Sequence, residues 1–352
     1  MPTLTPTRKR ILMGVVWLIP IVCVVWWATK QEAPTFPSDA GGILALVGAV
    51  ALYAVATLMR AERWDRILRR ADVDCRRADV YALTTVGYMG NNVLPARGGE
   101  LLRTFLLGAR APGSTKRTIL GTILAERVLD AVALGLILVV LASNLLSELP
   151  APNMTVVLAG VALLLVLVVA AVVALVKFRE RLVFVLESLK PMAQPTKQLL
   201  SRQGAALLTL SVAVWCVEAS VYIAVGHAVD IELGLQDGLA VVAFTNAAAL
   251  IPAAPGYIGT YDAAVIFAVN AVTDAPRRAV LSYLILLRFV LFIPITIVGF
   301  VVLVVRYGGL SRVKAAREAA QAEQRAEHEA AAAAAAATRV ESHADTTAAS
   351  TA

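Results

Sequence analysis

GYMGNNVLPARGGELLRTF, residues 87–105, interrupts a chain otherwise written in long runs of Val, Leu and Ala. It sets Asn91 and Asn92 side by side, follows them with Pro95, adds Gly90, Gly98 and Gly99, and carries Arg97, Glu100 and Arg103. Read as a surface loop, it separates two ordinary membrane spans. Read as polar backbone inside a bilayer, it turns the chain around at depth, and the fold is of a different kind. The charges on either side decide between these readings.

Composition sets the frame. Soluble domains are about half apolar and about a quarter charged. This chain of 352 residues is 59% hydrophobic and 16% charged, with a mean hydropathy of +0.74. It reads as a polytopic membrane protein. The net charge of +7 sits beside apolar segments, the pattern of a topology signal, so nucleic acid is not an expected partner. Cys23, Cys75 and Cys216 lie far apart, and His227, His328 and His343 form no ligand spacing, so no metal or cofactor is expected. Arg8, Lys9 and Arg10 precede an apolar run, 11–28, that no small-residue cleavage site follows. It reads as an uncleaved first span.

A membrane helix takes about 20 mostly apolar residues. Candidate spans are 11–28, 40–59, 118–142, 154–176, 204–226 and 279–304. Segments 78–108 and 237–272 are apolar but broken by Pro, Gly and Asn. Basic residues collect at the N-terminus, in the loops 60–77 (Arg60, Arg63, Arg66, Arg69, Arg70, Arg76, Arg77) and 109–117, and in 177–203, while 143–153 and 227–236 have none; loop 273–278, with Arg277 and Arg278, departs from the pattern. Lys and Arg favour the cytoplasmic side, so 78–108 starts and ends inside. It enters and returns. Segment 237–272 does the same from outside. The expected fold is all-α: six transmembrane helices plus two re-entrant hairpins, both termini cytoplasmic, in the cytoplasmic membrane of a prokaryote. The alternative takes each broken segment as full spans and gives eight or more crossings. Residues 1–306 form the membrane region, and 307–352 read as an Ala-rich, charged cytoplasmic tail, partly disordered.

The two broken segments resemble each other. LPARG (94–98) matches IPAAPG (251–256) with one insertion, and each is followed by a span with an arginine nine residues in, Arg127 and Arg288. With opposite orientations, this predicts an inverted repeat with interrupted helices at the midplane, a transporter architecture. Broken backbone at membrane depth must lie in protein or along a wet cavity. A helix starting at Gly98 aims its positive end, which attracts anions, into that cavity. Simple packing by small residues is the other reading of Gly256 and Gly259.

Arg97, Glu100, Arg103, Glu126, Arg127, Asp130, Glu218, Asp262 and Arg288 fall within apolar or hairpin segments. Facing lipid, they would together cost roughly 20–30 kcal/mol. They must face one another, a cavity or the interface. Glu126 and Asp130 share a helix face, Arg127 and Asp130 can pair at i, i+3, and Glu218 and Arg288 are expected to pair across the repeat. The set reads either as ion pairs that hold helices together or as a wet cavity with arginines for an anion and carboxylates for a cation or proton.

At these residues the chain resembles the flippase-like membrane region of the lysylphosphatidylglycerol synthase family. The resemblance rests on Asn91, Pro95, Arg97, Gly98, Glu100 and Arg103, on Glu126, Arg127 and Asp130, and on Pro255, Gly256, Gly259 and Asp262, and it covers about residues 10–305. Tyr257 and Asp262 stand where the family usually has a second Gly and a Glu. The resemblance implies lipid translocation. Fused members add a soluble aminoacylating domain. The tail here is too short and simple for one, so synthase activity is not expected. The expected substrate is a membrane lipid with an anionic or zwitterionic headgroup, and a cytoplasmic lipid-modifying enzyme is a candidate partner. The rival expectations are a non-transporting scaffold of an envelope-synthesis complex and an intramembrane lipid transferase. The binding residues expected are Asn91, Asn92, Pro95, Arg97, Gly98, Glu100, Arg103, Glu126, Arg127, Asp130, Pro255, Gly256, Gly259, Asp262 and Arg288.

Overall fold

The computed structural model describes residues 34, 36–94, 97–111, 113–148, 202–248 and 255–309. The expected spans 11–28 and 154–176, Pro95, Pro252 and the tail from 310 on lie outside these residues. The chain divides into two units, residues 1–302 and 303–352. Of the second, 303–309 are described and carry the last helix to its end. The rest concerns the first unit.

The described residues form eight α-helices: α1 Ala40–Arg70, α2 Arg77–Val93, α3 Gly98–Gly108, α4 Lys116–Glu148, α5 Arg202–His227, α6 Leu235–Ala248, α7 Thr260–Val272 and α8 Arg277–Tyr307. No strand occurs among them. α1, α5 and α8 are long and apolar enough to cross a membrane. The order long, short, short, long occurs twice, as α1–α4 and as α5–α8. α2 and α3 have 17 and 11 residues, and α6 and α7 have 14 and 13. At 1.5 Å per residue, α3 is about 16 Å long, against a hydrocarbon core of about 30 Å.

Residues 60–77 are not a loop, contrary to the sequence reading. α1 runs on to Arg70, and only 71–76 turn the chain. Arg60 and Arg63 continue the inward stripe of Ala49, Tyr53 and Ala56 at helical spacing and are buried. The apolar half of α1 keeps Leu44, Val47 and Leu58 outward. Asp39 caps its N-terminus by accepting from the Gly42 N–H at 2.9 Å.

α2 and α3 pack as a closed hairpin. Glycines allow the approach: a Cβ on Gly90 would lie 2.6 Å from Gly99 Cα, and one on Gly99 would lie 2.6 Å from Asn91 N. At the open end Arg110 Nη1 donates to Asp79 Oδ1 at 2.8 Å, joining the start of α2 to the residues after α3. α6 and α7 pair similarly, with Phe244 edge-on to Phe267.

α1 and α5 pack antiparallel. Gly42, near the start of α1, sits against Ala228 O just past α5, and Arg70 Nη1 at the far end donates to Gln203 O at 3.2 Å. α2 lies along α8, where Gly299 meets Met89 and Thr85 O. The main apolar core gathers Tyr222, Val241, Val265 and Leu287 from α5–α8, with Tyr53 of α1 and Ile137 of α4 reaching into it.

Candidate functional site

Both broken segments turn through residues in left-handed conformation. Arg97 has φ 54° just before α3. Gly256, Tyr257 and Gly259 have φ of 66°, 55° and 90° between the Pro255–Tyr257 turn and α7. A Cβ on Gly259 would meet no atom within 4 Å, so glycine is required there for its backbone freedom and not for the small-residue packing that was the other reading. The elbows touch: Arg97 Cζ lies 5.9 Å from the Tyr257 ring centroid.

In each series the third residue of the second short helix is a carboxylate, and the twelfth residue of the next long helix is an arginine paired to it. These are Glu100 of α3 with Arg127 of α4, and Asp262 of α7 with Arg288 of α8. The two pairs differ in what else they hold. Asp262 accepts from the Gly259 N–H at 2.8 Å and from Arg288 Nε. Arg288 also donates to Gly256 O at 3.1 Å and Tyr257 O at 3.4 Å. That arginine is committed to its elbow. Arg127 Nε stands 3.5 Å from Glu100 Oε1, and both atoms are buried without a hydrogen bond.

Behind the first elbow lies a buried ion network. Arg63, with its side chain wholly enclosed, donates to Asp130 Oδ1 at 2.6 Å and Ser211 Oγ at 2.7 Å and faces Glu126 at 3.9 Å. Asp130 also meets Arg127 at 3.3 Å, the expected i, i+3 pair. Glu126 accepts from Arg103, whose guanidinium lies 4.4 Å from the Trp64 ring. Glu218 pairs with Arg60 and not with Arg288. The expected pair fails because α1 packs along α5 and brings Arg60 to Glu218, while Asp262 and the elbow carbonyls take Arg288.

A cavity of about 120 Å³ opens between these elements, enough for several waters or one small headgroup. Both elbows reach it, through Arg97 and Tyr257. Asn91 and Asn92 of α2 line it, as do Arg127 and Asp130 of α4, Trp215, Glu218 and Tyr222 of α5, Asn246 of α6 and Tyr261 of α7. Tyr53 and Arg60 of α1, Tyr88 of α2, and Leu291 and Phe292 of α8 complete the wall. Among these lining residues, Trp215 Nε1, Asn91 Oδ1 and Arg127 Nε are buried and make no hydrogen bond within the protein.

The site residues expected from sequence thus separate. Asn91, Asn92, Arg97, Arg127 and Asp130 line the cavity, and Glu100 stands against Arg127. Arg103 and Glu126 sit behind it, and Asp262 and Arg288 brace the second elbow. Gly98 starts α3, Gly256 and Gly259 shape the second elbow, and Pro255 opens its turn. Asn92 ties α2 to α8 through Thr296 Oγ1 at 2.9 Å. Arg60, Arg63, Trp215 and the tyrosines were missed. The helical spacing of 53, 56, 60, 63 and 67 is the signal that points to the two arginines. No cluster of His, Cys, Asp and Glu suited to a metal occurs among the described residues.

Residues 11–299 match the family described as lysylphosphatidylglycerol synthase TM region. The chain is also similar to the UPF0104 membrane protein PH1989 of Pyrococcus horikoshii, 22% identical over 126 residues, 35% of this chain and 37% of that one. The match thus spans little more than a third of that relative. No solved structure matches.

Proposed function

The chain belongs to the family of the lysylphosphatidylglycerol synthase transmembrane region, and from that premise we propose that it is a lipid transporter. It moves a phospholipid or lipid-linked headgroup across the cytoplasmic membrane through the chamber between its elbows, and it is not an enzyme. One observation carries this reading: both elbows and both helix series meet at one cavity lined by charged and polar side chains, and three of the lining residues, Asn91, Arg127 and Trp215, hold a buried polar atom that makes no hydrogen bond within the protein. Unsatisfied buried polar groups are rare and call for a ligand or water.

The same reading takes α2–α3 and α6–α7 as re-entrant hairpins from opposite faces of the membrane. Their short helices, the Asp79–Arg110 bridge across the open end of the first and the antiparallel packing of α1 on α5 support it. The matched carboxylate–arginine pairs support an inverted repeat. Both termini are then cytoplasmic, and a cytoplasmic enzyme that modifies the carried lipid is the natural partner.

The test is reconstitution in liposomes with labelled lipids. Wild-type protein is expected to move lipid above the rate of empty vesicles, and Arg127→Ala to lose most of that activity. If neither protein exceeds empty vesicles across several headgroups, the proposal fails and a scaffolding role takes its place.

A further inference from the structure

We propose that the second elbow is a monocation site that this chain fills with its own Arg288. Arg288 is then a positioning residue. Its guanidinium stands where a free coupling cation would bind, and it holds in place Tyr257, which lines the chamber. The cation site follows from the elbow's geometry. Its consequence, a chamber that needs no alkali cation, rests on the transport reading and deepens it.

The backbone brings the acceptors together. Gly256 and Tyr257 are consecutive residues at φ 66° and 55°, and both of their carbonyls accept from one side chain. Arg288 Nη1 donates to Gly256 O at 3.1 Å and Nη2 to Tyr257 O at 3.4 Å. Thr260 Oγ1 shares Tyr257 O at 3.4 Å. Arg288 Nε donates to Asp262 Oδ1, and the Gly259 N–H fixes that carboxylate at 2.8 Å. Two aromatic rings complete the enclosure. Arg288 Cζ lies 5.3 Å from the Tyr261 ring centroid and 5.0 Å from that of Phe292. Unwound carbonyls at interrupted helices coordinate coupling ions in inverted-repeat transporters, and ring faces attract cations. The second elbow assembles both kinds of group around one charge.

The site is shaped for guanidinium. Each of the three Arg288 nitrogens reaches a different acceptor, the use of a planar fork that separates Arg from the point charge of Lys. The matched arginine of the first elbow is held differently. Arg127 faces two carboxylates, Glu100 at 3.5 Å and Asp130 at 3.3 Å, and Arg127 Nε and Glu100 Oε1 each lack a hydrogen bond. The cation site belongs to the second elbow.

A cation tethered to α8 cannot enter or leave with a substrate. The charge that steadies the elbow carbonyls and Asp262 is therefore present at every stage, and lipid moves through the chamber without alkali-ion coupling at this elbow.

The experiment measures thermal unfolding of full-length Arg288→Ala in micelles. The probes are guanidinium chloride, NaCl, KCl and urea, all far below denaturing concentrations, with ionic strength held constant by N-methylglucamine chloride. Guanidinium is expected to raise the melting temperature of the variant by about 2–4 °C at a concentration about ten times its dissociation constant. Na+ and K+ lack the fork and urea lacks the charge, so none of them is expected to act. Guanidinium is expected to leave the wild type unchanged, because its site is filled. No response of the variant to guanidinium, an equal response to Na+, K+ or urea, or an equal gain in the wild type overturns the assignment. If Arg288→Ala yields no folded protein, purification in guanidinium, but not in NaCl, is expected to recover it, and failure to recover it overturns the assignment as well. Vesicle assays with labelled lipid separate the two proposals. Wild type is expected to move lipid equally in Na+, K+ and N-methylglucamine. A requirement for Na+ or K+ overturns this inference alone. No movement in any of them refutes transport alone and leaves guanidinium binding to decide the site.

Discussion

Replacing Arg63 by methionine removes one guanidinium while keeping much of the apolar stem. The side chain is fully enclosed and joins three helices, α1 through itself, α4 through Asp130 and Glu126, and α5 through Ser211. Removing one partner of a buried ion pair destabilises by about 3–5 kcal/mol, because the other charge is left buried. Here each carboxylate keeps a second arginine, Arg127 for Asp130 and Arg103 for Glu126. The expected loss therefore lies at the lower end, about 3 kcal/mol. Arg66→Met is the control. Arg66 pairs with Glu62 at 2.8 Å, but its side chain is 49% exposed, and pairs of that kind are worth at most about 1 kcal/mol. Adding Asp130→Asn to Arg63→Met closes a cycle, with an expected coupling of about 1–3 kcal/mol. The assay is denaturant unfolding in micelles followed by helical circular dichroism. A loss for Arg63→Met no larger than for Arg66→Met would refute the buried network, and with it the argument that these charges face one another.

Gly99→Ala places a methyl group against Asn91 N and Gly87 O. It is expected to destabilise by about 1–3 kcal/mol or more, and an unchanged melting temperature refutes the tight α2–α3 contact. Asp79→Cys and Arg110→Cys, each introduced singly in a background without native cysteines, are expected to react with an impermeant reagent from the same face of the membrane. Labelling of the two from opposite faces refutes the hairpin. Burial pushes the Cys75 thiol up to about 11. The thiolate is the reactive form, so alkylation of Cys75 in a Cys23→Ser, Cys216→Ser background is expected to be slow at neutral pH and to rise with pH toward that value. A midpoint near 9 contradicts the half-buried placement.

The ends of the described helices were legible because hydropathy and Pro-Gly punctuation change abruptly there. α2–α3, for example, occupies 77–108 where 78–108 was read. The end of α1 was not, because a basic cluster after an apolar run reads as a cytoplasmic loop whether or not the helix continues. Arg63 looks like Arg66 in composition, and only its register on the inward stripe separates them. The pairing of Glu218 was illegible for another reason. Which of two distant arginines meets it depends on how α1 rotates against α5, and no local pattern carries that. The elbows were visible as Pro-Gly punctuation, but their chemistry was not. Gly259 could be read as a reversal glycine or a packing glycine, and its positive φ makes it the former.

The two elbows share a plan and do different work. Each has a left-handed turn, a carboxylate three residues into the following helix and an arginine twelve residues into the next. In the second elbow Asp262 has a short side chain and holds both the Gly259 N–H and Arg288, so that arginine's donors are taken up by the carboxylate and by two elbow carbonyls. In the first, the longer arm of Glu100 leaves Arg127 at 3.5 Å, with Nε unsatisfied. A ligand oxygen that accepts from Arg127 breaks no hydrogen bond of that guanidinium. At Arg288 it would have to displace an existing partner. A repeat that duplicated both elbows unchanged would offer two equivalent anion sites or none. Asp262 makes the second elbow a fixed brace, and under the transport proposal that leaves the first as the side of the chamber for a headgroup.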